Sequence, residues 1–230
     1  MTACGATPLP AREAYRLWAP SYGRETPVTA LDQTAVETLC PSLAGRSLLD
    51  AGCGTGRRLP QPGPDGPRLA VGIDLVPEML AAGLGHASRG CLVAVGDLAA
   101  LPVRERTFDI VWCRLAIGHV ADLAAVYRQL ARVACPGAQI IISDFHPAAA
   151  AAGHLRSFRD GAGRLQVVQH YIHQPVEHER AAADAGLSLK ARLDLCVGAA
   201  VKPFYTDAGL LEQYERQQGM PVVLALRFRR

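Results

Sequence analysis

A glycine-rich stretch directly after a short apolar run is the first feature that could do chemistry. Gly52, Gly54 and Gly56 alternate just after residues 47–51, and Arg57 follows them. Glycines at this spacing let the backbone turn sharply and approach a ligand with no Cβ in the way, and a helix start after them would offer free N–H groups to an anionic group. A dinucleotide site would instead need GxGxxG, with a small residue in place of Arg57. The stretch therefore predicts a ligand-binding loop that does not favour NAD.

Two carboxylates follow the next two apolar runs in the same way. Asp74 closes the run at 69–73, and Asp97 comes just after the run at 92–95. A carboxylate at the end of the second strand of such a sheet can accept both hydroxyls of a ribose. An acid in the next position can accept from the exocyclic amine of adenine. Because the three features occur in order, each at the end of a predicted strand, we expect them to surround one adenosine-bearing ligand.

Histidine and tyrosine side chains are the candidates for acid–base work. His146 comes just past the fifth apolar run, where a fold of this kind builds its acceptor pocket. The unperturbed imidazole pKa of ~6.5 suits a general base, although a loop histidine bonded to backbone is the alternative. Tyr171 and His173 are predicted to lie on the second arm of a hairpin and to point to one face, with His170 on the other. We expect one of those faces to line the acceptor site and the other to meet solvent or a partner chain.

Alternating strands and helices are predicted to position these groups. Apolar runs predict strands at 47–51, 69–73, 92–95, 110–113 and 139–143, then a hairpin over 155–173 and final strands at 187–197 and 222–228. Helices are predicted at 122–133 and 176–185, and a helix capped by Thr29 with Asp32 precedes the first strand. Prolines over 59–67 leave room for little more than one helical turn after that strand. The pattern is typical of an α/β fold: a doubly wound, mostly parallel, seven-stranded Rossmann-like sheet with helices on both faces and a β-hairpin cap after the fifth strand.

The composition narrows the classes of function. The formal charge of +3 comes from 24 basic and 21 acidic residues with no basic stripe, so no nucleic-acid partner is expected. No apolar run approaches the ~18 residues that span a bilayer, so no membrane association is expected. The seven cysteines of the sequence form no CxxC pair, which argues against a metal site and against disulfides and favours a cytoplasmic location. We expect a small-molecule substrate and a monomer or homodimer.

The motifs together resemble those of the class I S-adenosylmethionine-dependent methyltransferases, in the small-molecule branch that includes the ubiquinone and menaquinone methyltransferase-like enzymes. Residues 48–57 are similar to the first motif of that family, 71–80 to its ribose motif, 96–111 to its adenine motif and 132–137 to the turn before its fifth strand. The resemblance implies S-adenosyl-L-methionine as the cofactor and S-adenosyl-L-homocysteine as its product. It says nothing of the acceptor.

The resemblance also implies roles for individual residues. Asp50 would order the loop and reach the methionine amine, while the three glycines would line the methionine and the ribose. Asp74 would bind the ribose hydroxyls, and Asp97 with the Leu98 backbone would hold adenine. Cys113, at the end of the fourth strand, would lie near the sulfonium. The full cofactor-binding set is Tyr22, Asp50, Gly52, Cys53, Gly54, Gly56, Arg57, Asp74, Leu75, Met79, Asp97, Leu98 and Cys113.

Two further features are interpreted through the same resemblance. Residues 15–22 are similar to the N-terminal segment that folds over the cofactor in this family, although Trp18 and the tyrosines there could simply pack a helix on the sheet. His119 matches a position where related enzymes often carry a histidine near the methyl group, and a contact at a helix start would explain it as well. The candidate catalytic residues are therefore His146, His119 and Tyr171.

The sequence predicts one domain, in which 1–45 form a lid and helices, 46–147 the cofactor-binding core and 148–230 the hairpin cap and C-terminal strands. The expected function is methyl transfer from S-adenosylmethionine to O, N or C of a small organic acceptor. An NAD-dependent reductase of similar topology is one alternative, disfavoured by Arg57. A non-catalytic regulatory protein that binds the cofactor is the other, because the irregular stretch at 59–67 departs from the regular helix of the family.

Overall fold

A seven-stranded sheet forms the centre of the molecule. The computed structural model describes residues 7–83 and 90–230, so Cys4 and the rest of 1–6 at the start of the predicted lid lie outside the described residues. The strands are β1 (Ser47–Ala51), β2 (Leu69–Asp74), β3 (Leu92–Val95), β4 (Phe108–Arg114), β5 (Ala134–Phe145), β6 (Ser157–Arg159), β7 (Leu165–Val167), β8 (Ser188–Cys196) and β9 (Pro221–Arg229). The sheet order is β3-β2-β1-β4-β5-β9-β8, and β6 and β7 form a separate hairpin.

Five neighbouring strands of the sheet run parallel, and of the last two only β9 runs in the opposite direction. β1 pairs in parallel with both β2 and β4, and β9 lies antiparallel between β5 and β8. The predicted α/β class and the mostly parallel seven-stranded sheet are confirmed. The strand order reverses at β1, and in open sheets of this type ligands bind outside the carboxyl ends of the strands at such a point.

Helices cover both faces of the sheet. They are α1 (Ala11–Trp18), α2 (Pro27–Leu39), α3 (Pro77–Gly83), α4 (Leu123–Val133), α5 (Pro147–Ala151), α6 (Pro175–Asp184), α7 (Lys202–Thr206) and α8 (Leu211–Gln217). Successive strand residues point to opposite faces. Leu49 therefore packs in one cluster with Tyr127 of α4, whereas Leu48 packs in another with Val36 of α2. Within 7–83 and 90–230, none of the helices has the length and apolarity needed to cross a bilayer.

The start of α2 differs from the prediction. Thr26, not Thr29, is the N-cap residue, because Thr26 keeps an extended backbone and Pro27 supplies the first helical position. The Thr26 hydroxyl accepts from the Thr29 backbone N–H at 3.2 Å, and the Thr29 hydroxyl accepts from the Thr26 N–H at 2.8 Å. The pair forms a capping box, which leaves Asp32 free for another role inside the molecule.

The hairpin and the proline-rich stretch also differ in detail from their predictions. The arms β6 and β7 are only three residues long, so Tyr171 and His173 lie in irregular chain beyond the second arm and strand alternation does not orient them. Residues 52–68 contain turns and no helix, as the prolines there dictate. The loop after β1 is thus held by turn hydrogen bonds of its backbone and by side chains, and not by a helix.

Candidate active site

Three cavities meet at the carboxyl edge of the sheet. The first, about 680 Å³ with its open mouth, lies against the ends of β2 and β3. The second, about 440 Å³, lies against the end of β1, and the third, about 750 Å³, opens between α1, the start of α2 and β6. Tyr22 and Leu115 line all three. The predicted cofactor residues that line the first or second cavity are Tyr22, Asp50, Gly52, Cys53, Gly54, Arg57, Asp74, Leu75, Met79, Asp97 and Leu98.

The glycine loop needs glycine for both conformation and space. Gly52 has φ +84° and Gly54 has φ +60°, a left-handed region that side chains rarely adopt. A Cβ on Gly52 would lie 2.4 Å from the Ala116 Cβ, and one on Gly54 would lie 3.6 Å from the Tyr22 ring. Both glycines line the first and second cavities. Gly56 also has a positive φ, but it is buried beside Leu59 and packs the loop without lining these cavities.

Asp50, one residue before the end of β1, is a buried carboxylate. Its Oδ1 atom has no hydrogen-bond partner, although the carboxyl lines the second cavity. Burial raises the pKa of Asp50 to about 7, even though the charge of Arg114 acts in the opposite direction. An unpartnered buried oxygen of this kind is costly unless a ligand donor satisfies it.

Asp74 ends β2 and ties that strand to the glycine loop. Its Oδ2 accepts from the Gly54 N–H at 2.7 Å, and its Oδ1 accepts from the Val76 N–H at 2.9 Å. Burial raises the pKa of Asp74 to about 6, an effect that the backbone N–H groups partly offset. Asp97 is more exposed and accepts from the Ala99 N–H at 2.8 Å. Both carboxyls line the first cavity, and each oxygen retains a second lone pair for a ligand.

A buried ion network that sequence reasoning missed holds the floor of the second cavity. The Asp32 Oδ2 atom accepts from Arg114 Nη2 at 2.7 Å and from Arg58 Nη1 at 2.8 Å. The Asp32 Oδ1 atom accepts from the Ser143 hydroxyl at 2.5 Å. These contacts connect α2, β4, β5 and the loop after β1. The loop with many prolines is thereby anchored at its start.

The backbone after β4 is strained where it meets the cavities. Leu115 has φ +50°, a left-handed value for a residue with a side chain. Its N–H donates to the Ser143 carbonyl at 2.9 Å, which holds the turn in place. Such outliers cluster at ligand sites. The polar Arg114 at the end of an apolar strand was the one sequence signal for this turn.

A chain of three polar side chains closes the first cavity from the N-terminal side. Arg156 Nε donates to the Tyr15 hydroxyl at 3.0 Å, and that hydroxyl lies 3.0 Å from His119 Nε2. His119 Nδ1 lies 3.0 Å from the Gln169 carbonyl, which can only accept, so Nδ1 carries the proton and Nε2 accepts from Tyr15. Burial lowers the pKa of His119 to about 3, and the Arg156 charge adds to this. His119 is therefore a neutral member of the cavity wall.

Besides Gly56, three predicted residues lie away from the cavities. Cys113 is fully buried in the core, because β4 runs one residue further and Arg114 takes the place at its end. His146 is the N-cap of α5, where its Nδ1 accepts from the Ala148 N–H at 3.0 Å. Tyr171 is exposed, and its hydroxyl accepts from the Gln169 amide at 2.9 Å. The structure thus places Cys113, His146 and Tyr171 outside the three cavities, and their predicted roles stay predictions.

The described ranges 7–83 and 90–230 hold no group of three or more His, Cys, Asp or Glu side chains placed to bind a metal ion. The site combines an open α/β sheet with a glycine loop between the buried Asp50 and the half-buried Asp74 at the switch point of the sheet. Residues 49–142 match the protein family described as "Methyltransferase domain". Over this range the chain is similar to the class I S-adenosylmethionine-dependent methyltransferases.

Individual relatives agree with this assignment. The chain is 30% identical over 182 residues to a malonyl-[acyl-carrier protein] O-methyltransferase of Dechloromonas aromatica, covering 77% of this chain and 65% of that protein. It is 37% identical over 111 residues to a demethylmenaquinone methyltransferase of Roseiflexus sp., covering 46% of this chain and 45% of that protein. The chain thus spans about half to two thirds of the curated relatives it matches. An S-adenosylmethionine-dependent methyltransferase structure from Mesorhizobium loti has the same fold, with a TM-score of 0.66, 22% identity and coverage of 87% of this chain and 98% of that one.

Proposed function

We propose that this protein transfers the methyl group of S-adenosylmethionine to O, N or C of a small organic acceptor and releases S-adenosylhomocysteine. The observation that carries the proposal is the pair of acids Asp50 and Asp74 on either side of Gly52 and Gly54, in two cavities that join. When bound, S-adenosylmethionine would supply an electrophilic methyl group: the acceptor provides the electron pair of the new bond to the methyl carbon, and the electron pair of the broken S–C bond stays on sulfur.

The second cavity fits the methionine end of this cofactor. The unpartnered Asp50 Oδ1 is a buried acceptor that an ammonium group would satisfy. Thr55, Arg58 and Arg114 line the same cavity and offer hydroxyl and guanidinium donors to a carboxylate. Two acids and three arginines line this cavity in all, since Asp32 and Arg57 lie there too, and such a lining suits a zwitterion, which carries both charges. The absence of a Cβ at Gly52 and Gly54 leaves the backbone open to close approach.

The first cavity fits the nucleoside end. In this arrangement Asp74 accepts from the ribose hydroxyls with the lone pairs not used by Gly54 and Val76. Asp97 and the backbone of Leu98 hold the adenine amine, and Leu75 and Met79 pack against the flat base. Cavities that combine apolar walls with a few placed polar groups are typical of cofactor sites.

Positioning is the main catalytic contribution that we assign to this chain. Displacement at a methyl group needs close, aligned reactants, and holding them in place is worth about 7–11 kcal/mol in favourable cases. Tyr15 and Tyr22 line the first cavity from above, where they exclude water from the reacting atoms. His119 acts by fixing Tyr15 and not as a base, because both its ring nitrogens are engaged and its pKa is about 3.

The finer properties of the protein belong to the same proposal. We place it in the cytoplasm as a single domain, a monomer or a homodimer without a nucleic-acid partner. The six cysteines in the described part of the chain are free thiols, which supports a reducing compartment. One core cluster includes residues from β1, α4, α6 and β9, which supports a single folding unit.

Binding calorimetry with S-adenosylhomocysteine and NAD tests the proposal. We expect micromolar or tighter binding of S-adenosylhomocysteine and none of NAD, and we expect Asp74→Ala to weaken the former by roughly tenfold or more, because charged hydrogen bonds contribute about 1.5–3 kcal/mol. Asp65→Ala is the control, since Asp65 is an exposed acid in the loop between β1 and β2. Equal affinity of the two variants, or a preference for NAD, would contradict the proposal.

A further inference from the structure

The third cavity meets the first where the cofactor's methyl group would lie under the proposed function. It is about 750 Å³ in volume, and Tyr22, Leu115 and Arg156 line both cavities. Tyr22 and Leu115 also line the second cavity, so the three spaces join at these two side chains. A molecule in the third cavity would therefore face the point where the nucleoside and methionine ends of the bound cofactor meet.

The walls of the third cavity combine apolar surface with positive charge. Trp18, Val28, Phe145 and Leu155 supply aromatic and aliphatic faces. No aspartate or glutamate is among the residues that line it, whereas Arg24, Arg57 and Arg156 are. The first cavity, by contrast, contains two carboxylates, Asp74 and Asp97. The third cavity thus suits a ligand with an apolar body and a negative charge.

Arg156 is the cation at the junction; the charge of Asp144 acts on it from a distance, but no described carboxylate forms an ion pair with it. Its Nε donates to the Tyr15 hydroxyl, and within 7–83 and 90–230 its side chain forms no ion pair and no other hydrogen bond. Arg57 differs, because its Nη1 lies 3.3 Å from a Glu25 oxygen. Arg156 is half-buried beside Tyr15, and a partly desolvated guanidinium without an anion is unfavourable. Its terminal nitrogens are the part of the side chain that can pair with an anion from outside.

We propose that the acceptor is an organic carboxylic acid with an apolar body, and that Arg156 binds its carboxylate. This inference rests on the proposed function. A guanidinium presents two parallel N–H donors that match the two oxygens of a carboxylate. Phe145, Leu155 and the exposed part of Trp18 line the space for the apolar body. Tyr15 fixes the guanidinium through its Nε. Arg156 is thus a specificity-determining residue of the acceptor site.

Matched acids and amides test this specificity on the whole protein saturated with S-adenosylhomocysteine. The probes are phenylacetic, cinnamic and octanoic acids, each against its neutral primary amide, with dissociation constants measured by calorimetry. We expect at least one acid to bind roughly tenfold or more tightly than its amide, as a charge-assisted pair requires. Arg156→Gln should abolish this preference, and Arg156→Lys should retain part of it.

Arg159→Gln is the matched control, because it removes the same charge from the exposed end of the same hairpin, where Arg159 donates to the Gly163 carbonyl. The control should keep the preference of the wild type. Acids that bind no better than amides in every pair, or a preference that survives in Arg156→Gln, would overturn the inference. The wild-type comparison decides the matter even if the variant fails to fold. Failure of S-adenosylhomocysteine itself to bind would instead overturn the proposed function.

Discussion

Asp50 is the residue whose chemistry depends most on its surroundings. Its ordinary pKa would keep it ionised at neutral pH, yet burial raises its folded pKa to about 7. An acid with a raised folded pKa is destabilising when ionised, so its cost appears as the pH rises from about 4 to about 7. A cationic ligand group beside the carboxyl would remove that cost by pairing with the charge. Ligand affinity and protein stability are thus linked at this one side chain.

Asp50→Asn is expected to raise the stability of the ligand-free protein and to lower its affinity for the ligand. Without a ligand, the free energy of unfolding of the variant should equal that of the wild type near pH 4. At pH 8 it should be higher than that of the wild type by up to roughly 4 kcal/mol, since each pKa unit corresponds to about 1.4 kcal/mol. The same variant should bind S-adenosylhomocysteine roughly tenfold to a hundredfold more weakly at pH 8, because the amine loses its charged partner. Urea unfolding at both pH values and calorimetry measure the two quantities. If the variant and the wild type change stability in parallel across this range, Asp50 does not carry the linkage.

Residues at strand ends were predictable from the sequence, and residues that depend on long-range packing were not. Asp50, Gly52 and Asp74 lie beside cavities because an apolar strand followed by glycine or an acid fixes their place along the chain. Arg156 comes from a hairpin whose position over the sheet no local pattern reveals. His146 was misplaced because its role as a helix cap depends on α5, a five-residue helix with little periodicity.

At the scale of elements, the N-terminal segment is joined to the hairpin more than to the sheet. Trp18 at the end of α1 stacks on Phe158 of β6, with ring centroids 4.7 Å apart and an angle of 7° between the planes. The Leu9 N–H donates to the Val167 carbonyl at 2.8 Å, so the chain before α1 follows β7. The expectation that Trp18 packs a helix on the sheet is therefore wrong. Helix and hairpin form one cover over the first and third cavities.

Phe158→Ala is expected to loosen this cover. The substitution removes the stacked ring that holds Trp18, so α1 should exchange its backbone amides faster, by roughly tenfold, while α4 in the core should exchange as in the wild type. S-adenosylhomocysteine should bind several-fold more weakly, because the cover then closes less often. Hydrogen–deuterium exchange and calorimetry give these readouts. Leu165→Ala is the control, since Leu165 is exposed on β7 of the same hairpin, and similar exchange in both variants would mean that the ring stacking does not hold α1.

The elements differ in how much the sequence fixes them. The predicted bounds of β1 and β3 are those of the structure, and those of β2, β4 and β9 agree within two residues, because their apolar runs are bounded by glycine, proline or acids. β5 begins five residues before its predicted start. The short helices α7 and α8 between β8 and β9 have no such pattern and were not predicted. The cap of α2 was misplaced by three residues, because Thr26 and Thr29 are both good capping residues and the fixed φ of Pro27 decides between them.

At the scale of the whole molecule, the last strand, β9, packs into the same core as the first strand, β1. β9 lies between β5 and β8, and its central residues are fully buried. Leu226 belongs to the same core cluster as Leu49 of β1 and Tyr127 of α4, while Ala225 packs with the residues of α2. The cofactor-binding strands and the C-terminal strands therefore share both faces of one core. Such a molecule should unfold as one cooperative unit.

Leu226→Ala tests whether the chain unfolds as one cooperative unit. Loss of a fully buried leucine side chain should lower the free energy of unfolding by about 2–5 kcal/mol, and the loss should be felt in the cofactor-binding half, because Leu226 touches its core. Trp112 on β4 is buried in that half, and in a Trp18→Phe background it is the one remaining tryptophan of the sequence and provides a local fluorescence signal. Far-ultraviolet circular dichroism follows the whole chain. Both signals should move together to a lower urea midpoint in the variant. Leu189→Ala on β8 should shift the midpoint little, because 39% of that side chain is already exposed. Two separate transitions, with Trp112 unchanged in Leu226→Ala, would instead show that residues 148–230 unfold apart from the cofactor-binding core.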